Sequence, residues 1–93
     1  MQTLDSSAVD KMLKELPKWQ KDGGGISRTL TFPTFLEAIN MVEKIAELAE
    51  RENHHPDMDI RYNKLKVALI THDADGLTEN DMKMAAILDH LLP

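Results

Sequence analysis

The sequence predicts an α+β fold, a four-stranded antiparallel sheet with three helices on one face, in the order α-β-β-α-β-β-α. Two observations carry this. Two pairs of short segments alternate apolar with polar residues, as half-buried strands do, and three longer stretches space their apolar residues at the helical period. The chain has 93 residues, room for a single domain over 1–93. A chain of that size buries roughly 60–70% of its unfolded surface, enough for one helix layer on one sheet.

The first helix is expected over Ser6–Leu16, where Val9, Met12, Leu13 and Leu16 fall on one side. Ser7 and Asp10 form a capping-box pattern and Pro17 stops the helix. Trp19 opens a short extended segment, Gly23-Gly24-Gly25 turns the chain, and Ile26–Phe32 alternates as a strand. The second helix is expected from Pro33 to Glu52, with Pro33 in its first turn and Thr34 and Glu37 as a capping box. Its apolar stripe reads as Phe35, Ile39, Val42, Ala46 and Ala49, and its wet face as Glu37, Asn40, Glu43, Lys44, Glu47 and Glu50. Pro56 then drives the preceding residue out of the helical region. Met58–Tyr62 and Leu65–Thr71 alternate around a tight Asn63-Lys64 turn, a second hairpin. After Gly76, Thr78 and Asp81 start the last helix, whose face is Met82, Ala85, Leu88 and Leu92.

Composition excludes several function classes. There are no cysteines, hence no disulfide, thiolate nucleophile or zinc-thiolate site, which fits a reducing, cytoplasmic setting. No apolar run reaches the roughly 20 residues of a membrane span, and the first ten residues lack a signal pattern. A net charge of −5 disfavours a phosphate-backbone binder. With only Trp19, Phe32, Phe35 and Tyr62 as aromatics, no base-stacking platform is expected. The partner expected is a small molecule, with neither nucleic acid nor membrane.

The chemistry rests on histidine. Of the four, His54 and His55 sit where the long helix stops and His72 where the fourth strand stops. His90 lies in a last helical turn, where a cation suits the helix dipole. Imidazole titrates at about 6.5 and exchanges protons at neutral pH. Two imidazoles flanking a small substrate can remove one proton and deliver another, which an elimination of water requires. Two other readings stay open from spacing alone. His54 and His55 can be a polar helix end, or the three can ligate a metal, although adjacent histidines seldom converge on one ion and no HExxH spacing is present. Asp81 reads as a cap or a substrate contact, Trp19 as core or a pocket wall, and Glu50 as a solvated helix residue.

The residues Glu50, His54-His55-Pro56, Tyr62, His72 and Asp81, with Thr71-His72-Asp73-Ala74 and Gly76-Leu77-Thr78 between them, resemble the signature of the pterin-4a-carbinolamine dehydratase family. The resemblance is densest over residues 46–90 and looser toward Trp19 and the Phe32–Phe35 segment. It implies an antiparallel sheet with three helices on one side. It also implies dehydration of 4a-hydroxytetrahydrobiopterin, left by aromatic amino-acid hydroxylases, to the quinonoid dihydropterin, with no metal or redox cofactor. By position, His54 and His72 would be the acid–base pair and His55 would bind and orient substrate. Asn53 and the backbone of Ile70, Thr71 and Asp73 would line the pterin, with Glu50, Trp19 and Asp81 completing the substrate-binding set. Family likeness further implies a homodimer or homotetramer, to which the bare sheet edge gives a physical reason. It leaves room for an aromatic amino-acid hydroxylase or a regulatory protein as partner. A dimerisation cofactor of a transcription factor and a pterin enzyme of molybdopterin metabolism are the alternatives. Three residues depart from the pattern: Asn53 where some members have Asp, Met58 where some have Trp, and Asp75 in place of a small residue, adding negative charge near His72.

Overall fold

The alternation and helical periods translate into seven main elements in a computed structural model that describes residues 2–93. They are α1 (Ser6–Leu13), β1 (Gln20–Asp22), β2 (Gly25–Thr31), α2 (Phe35–Glu52), β3 (Asp57–Arg61), β4 (Lys64–Leu69) and α3 (Glu79–Leu91), with a 3₁₀ turn at His72–Ala74. The sheet order is β1-β2-β4-β3, antiparallel throughout. The two hairpins therefore join through β2 and β4, pairing Ile26 with Leu69 and Leu30 with Leu65.

Strand alternation sorts the two faces. Ile26, Leu30, Leu65, Val67 and Leu69 are buried beneath the helices together with Ile45, Ala85 and Leu88. Thr29, Thr31, Asp59, Arg61, Lys64 and Lys66 stay exposed on the opposite face. The helices thus cover one face, as the sequence predicts. Burying a large aliphatic side chain contributes roughly 1.5–3 kcal/mol, so this one cluster carries most of the apolar stabilisation.

Arg28 also points into the core and is 6% exposed. A buried guanidinium must be paired. Its Nη1 donates to Asp89 Oδ1 at 2.7 Å and its Nη2 to the Pro93 carbonyl, while the Trp19 indole N–H donates to the same Asp89 oxygen at 2.9 Å. This ties β2 and the segment before β1 to α3.

The helix boundaries differ from expectation in three places. Asp5, not Ser7, caps α1, its carboxylate accepting from the Ala8 N–H at 2.8 Å. α1 closes at Leu13, because Pro17 bars a helical Leu16; residues 14–16 tighten instead, with Glu15 and Leu16 donating to the carbonyls of Met12 and Leu13. Pro33 precedes the cap of α2, which is Thr34, whose hydroxyl accepts from the Glu37 N–H at 3.1 Å.

The stripe of α2 is also rotated. Its buried residues are Ala38, Ile45, Leu48 and Ala49, whereas Phe35 is 50% exposed and Ala46 is exposed. The apolar arc of this helix is wider than the sheet can cover, and spacing alone does not choose its centre.

Candidate active site

α2 ends on Asn53, which holds the left-handed conformation at φ 53 and ψ 38 and donates its N–H to the Ala49 carbonyl. Asparagine tolerates this region better than most residues. The His54 N–H donates to the same carbonyl at 3.2 Å. Pro56 forbids a return to helix, so the chain turns through His54 and His55 and enters β3 at Asp57.

The turn aims His54 inward. Its imidazole is 18% exposed and its Nε2 lies 2.6 Å from Asp81 Oδ1. Asp81 is the third residue of α3 and fully buried. Its Oδ2 accepts from the Thr71 hydroxyl at 2.8 Å and from the Thr78 N–H at 2.9 Å, and the hydroxyls of Thr71 and Thr78 are 2.8 Å apart. A buried carboxylate is tolerable here because both oxygens are bonded and the N-terminus of α3 supplies positive potential. The capping role and the contact with His54 therefore fall on one side chain.

The other two histidines also face carboxylates. His55 Nε2 bonds Glu50, and both side chains are exposed. His72 opens the 3₁₀ turn, which is closed by the Thr71 N–H donating to the Gly76 carbonyl at 3.0 Å and by Asp75 in the left-handed region at φ 53. The His72 ring is held outward, 68% exposed, with Nε2 3.3 Å from Asp57 Oδ2.

These contacts bring the histidines to one end of the molecule. Thr71, the neighbour of His72, shares Asp81 with His54. Asp57, the partner of His72, follows His54 by three residues, a span of at most about 11 Å. Each imidazole has its own carboxylate on Nε2, and among the described residues no three His, Asp or Glu gather to hold a metal ion. An imidazole held through one nitrogen keeps the other for proton transfer.

The remaining expected site residues are less closely grouped. Asn53 is exposed and, with His54, Asn80 and Lys83, borders a cavity of about 100 Å³. Thr71 spends its side chain on Asp81. Ile70 packs against Gly24 and Gly25, where an added Cβ would meet it. Asp73 is exposed in the 3₁₀ turn, and Trp19 is core, committed to Asp89. Tyr62 is 73% exposed at the β3–β4 tip, five residues or about 17 Å along the strand from Asp57.

Two contributors escape the sequence reading. Asp57, not Asp75, sets its carboxylate beside the His72 ring; its only local signal is that it follows His-His-Pro directly. Thr78 was legible as a cap, but its hydroxyl contact with Thr71 depends on the fold.

Comparison with known proteins bears on this arrangement. Residues 2–91 match the family model described as pterin 4 alpha carbinolamine dehydratase. A protein of Mycolicibacterium smegmatis, provisionally named pterin-4-alpha-carbinolamine dehydratase, is 44% identical over 92 residues, covering 99% of this chain and 98% of its own. One of Acidobacterium capsulatum, with the same provisional name, is 46% identical over 92 residues, covering 99% of this chain and 100% of its own. The crystal structure of a transcriptional coactivator/pterin dehydratase from Brucella melitensis superposes with a TM-score of 0.90 at 33% identity, covering 99% of this chain and 100% of that one.

Proposed function

Because the chain belongs to the pterin 4 alpha carbinolamine dehydratase family, we propose that it catalyses loss of water from a pterin 4a-carbinolamine by histidine acid–base chemistry. The observation that carries this is the placing of His54 and His72 at one end of the fold, linked through Thr71 and Asp81, each imidazole beside a carboxylate. The reaction removes the proton on N5, forms the C4a=N5 double bond with that electron pair, and breaks the C4a–O bond, with a proton delivered to the departing hydroxide. One imidazole takes the first proton and the other supplies the second. His55, steadied by Glu50, orients the substrate, with Asn53 and the backbone of residues 70–73 offering hydrogen bonds to the pterin edge. The product re-enters the cofactor cycle of aromatic amino-acid hydroxylases, in the cytoplasm, and residues 1–93 act as one domain.

A second role, as an interaction protein, is favoured by one observation. Phe35, Leu36, Met58 and Tyr62 are large apolar side chains left exposed, and β3 is a bare sheet edge. Such surfaces mark contact sites; a homodimer or homotetramer would cover them, or a regulatory partner would.

The test is the rate of water loss from an enzymatically generated 4a-carbinolamine, measured over the uncatalysed rate. Acceleration by catalytic amounts of protein supports the dehydratase reading. A rate equal to buffer alone removes it.

A further inference from the structure

We infer that Asp57 is a positioning residue for the proposed reaction: from the first place in β3 it holds the exposed ring of His72 in one orientation. The inference rests on the dehydratase reading and deepens it by adding a side chain outside the three histidines and their buried aspartate.

The backbone beneath the two side chains is fixed. Asp57 opens β3 and pairs in register with Ala68 of β4. His72 follows Ala68 by four residues, in the 3₁₀ turn. That turn is pinned by the bridge between Thr71 and Gly76. It is also pinned by the Ala74 and Asp75 N–H groups, which donate to the carbonyls of Thr71 and His72 at 3.1 Å each. Register and turn together bring a strand residue and a loop residue, 15 positions apart, to 3.3 Å between Oδ2 and Nε2.

The ring of His72 is not fixed by burial, and among the described residues this ion pair is the one polar contact that either side chain makes. An exposed imidazole with no partner moves among staggered rotamers within picoseconds to nanoseconds. A proton-transfer group serves only an atom within its hydrogen-bond reach, so time spent in other rotamers is lost to the reaction. His54 escapes this loss, since its ring is mostly covered and bonded to the buried Asp81. His72 depends on one exposed carboxylate instead. Both members of the pair are more than half exposed, so the pairing is expected to enrich the held orientation about two- to fivefold, and salt weakens it.

The experiment is ¹³C relaxation of the ring carbons in histidine-labelled protein without substrate, at a pH where His72 is protonated, with kcat and KM measured beside it. The parent is compared with Asp57→Asn, Asp57→Glu and Asp59→Asn. Asp59 lies two residues along the same strand and pairs with Arg61, so its variant removes an equal charge without touching His72. The His72 ring is expected to be ordered in the parent and in Asp59→Asn, mobile in Asp57→Asn and ordered again in Asp57→Glu, with the His54 ring unchanged throughout. In Asp57→Asn kcat is expected to fall about two- to fivefold with KM held, and Asp57→Glu to recover it. A His72 ring as ordered in Asp57→Asn as in the parent overturns the inference, and so does an equal loosening in Asp59→Asn. Should Asp57→Asn fail to fold, the parent supplies the test: its His72 ring is expected to loosen in about 1 M salt, where screening reaches about 3 Å, and a ring indifferent to salt overturns the inference. Because no substrate is present, relaxation decides the contact separately from activity. An Asp57-dependent ring in a protein that does not accelerate water loss would overturn the proposed function instead.

Discussion

One left-handed residue sets where His54 points. Asn53 turns the chain out of α2 at φ 53, and only after that turn can the next imidazole reach Asp81. A side chain in this region costs roughly 1–2 kcal/mol for most residues, and glycine escapes the cost. Asn53→Gly is therefore expected to keep the fold and its stability, whereas Asn53→Val is expected to lose about 1–2 kcal/mol of stability by urea denaturation and to misplace His54. Equal stability for the two variants would contradict this origin of the turn. At this scale the histidines were legible because their type and their positions at element ends carry the signal. Asp57 was not, since its relation to His72 is made by the pairing of β3 with β4 and the course of the 3₁₀ turn, neither of which is local in sequence.

Among the elements, α2 shows how far periodicity reaches. Its wet face, from Glu37 to Glu50, is exposed as read from the sequence. Its dry face lies to one side of the stripe that spacing predicts, because Phe35 and Ala46 continue the apolar arc beyond the packed part. The buried centre is Ile45, at 0% exposure, while Ala46 next to it faces outward. Ile45→Ala should cost about 2–5 kcal/mol, and Ala46→Lys no more than about 0.5 kcal/mol in the monomer, both by chemical denaturation. A costly Ala46→Lys beside a mild Ile45→Ala would restore the stripe inferred from spacing. The strands fared better because a period of two leaves only two faces, and Ile26, Leu30, Leu65, Val67 and Leu69 all mark the same one.

Over the whole molecule, the helix-free face of the sheet carries a charged pair that links its two hairpins. Lys66 on β4 reaches Asp22 on β1 across β2, with 2.7 Å between Nζ and Oδ2. Hydrogen bonding to Lys66 and Ser27, with the Lys66 charge, holds the Asp22 carboxyl below the usual carboxylate range. A carboxyl lowered on folding stabilises the folded state above its unfolded titration range, and that contribution is lost as the pH falls through the folded value. Asp22→Asn is therefore expected to lower stability slightly at neutral pH, with the gap closing on acidification and shrinking in salt. A gap that persists unchanged into acid would contradict the pairing. The element order and the covered face were legible from the sequence at this scale. The tie between Arg28 and Asp89 was not, because a charged residue on the core side of a strand announces no partner.

The proton-transfer role of the two remote histidines meets its most direct test in the dehydration rate of a 4a-carbinolamine with His54→Ala and His72→Ala proteins whose circular dichroism matches the parent. Each substitution is expected to remove about 10²–10⁴-fold of the rate above background. Folded variants that both dehydrate the substrate at the parent rate would contradict it.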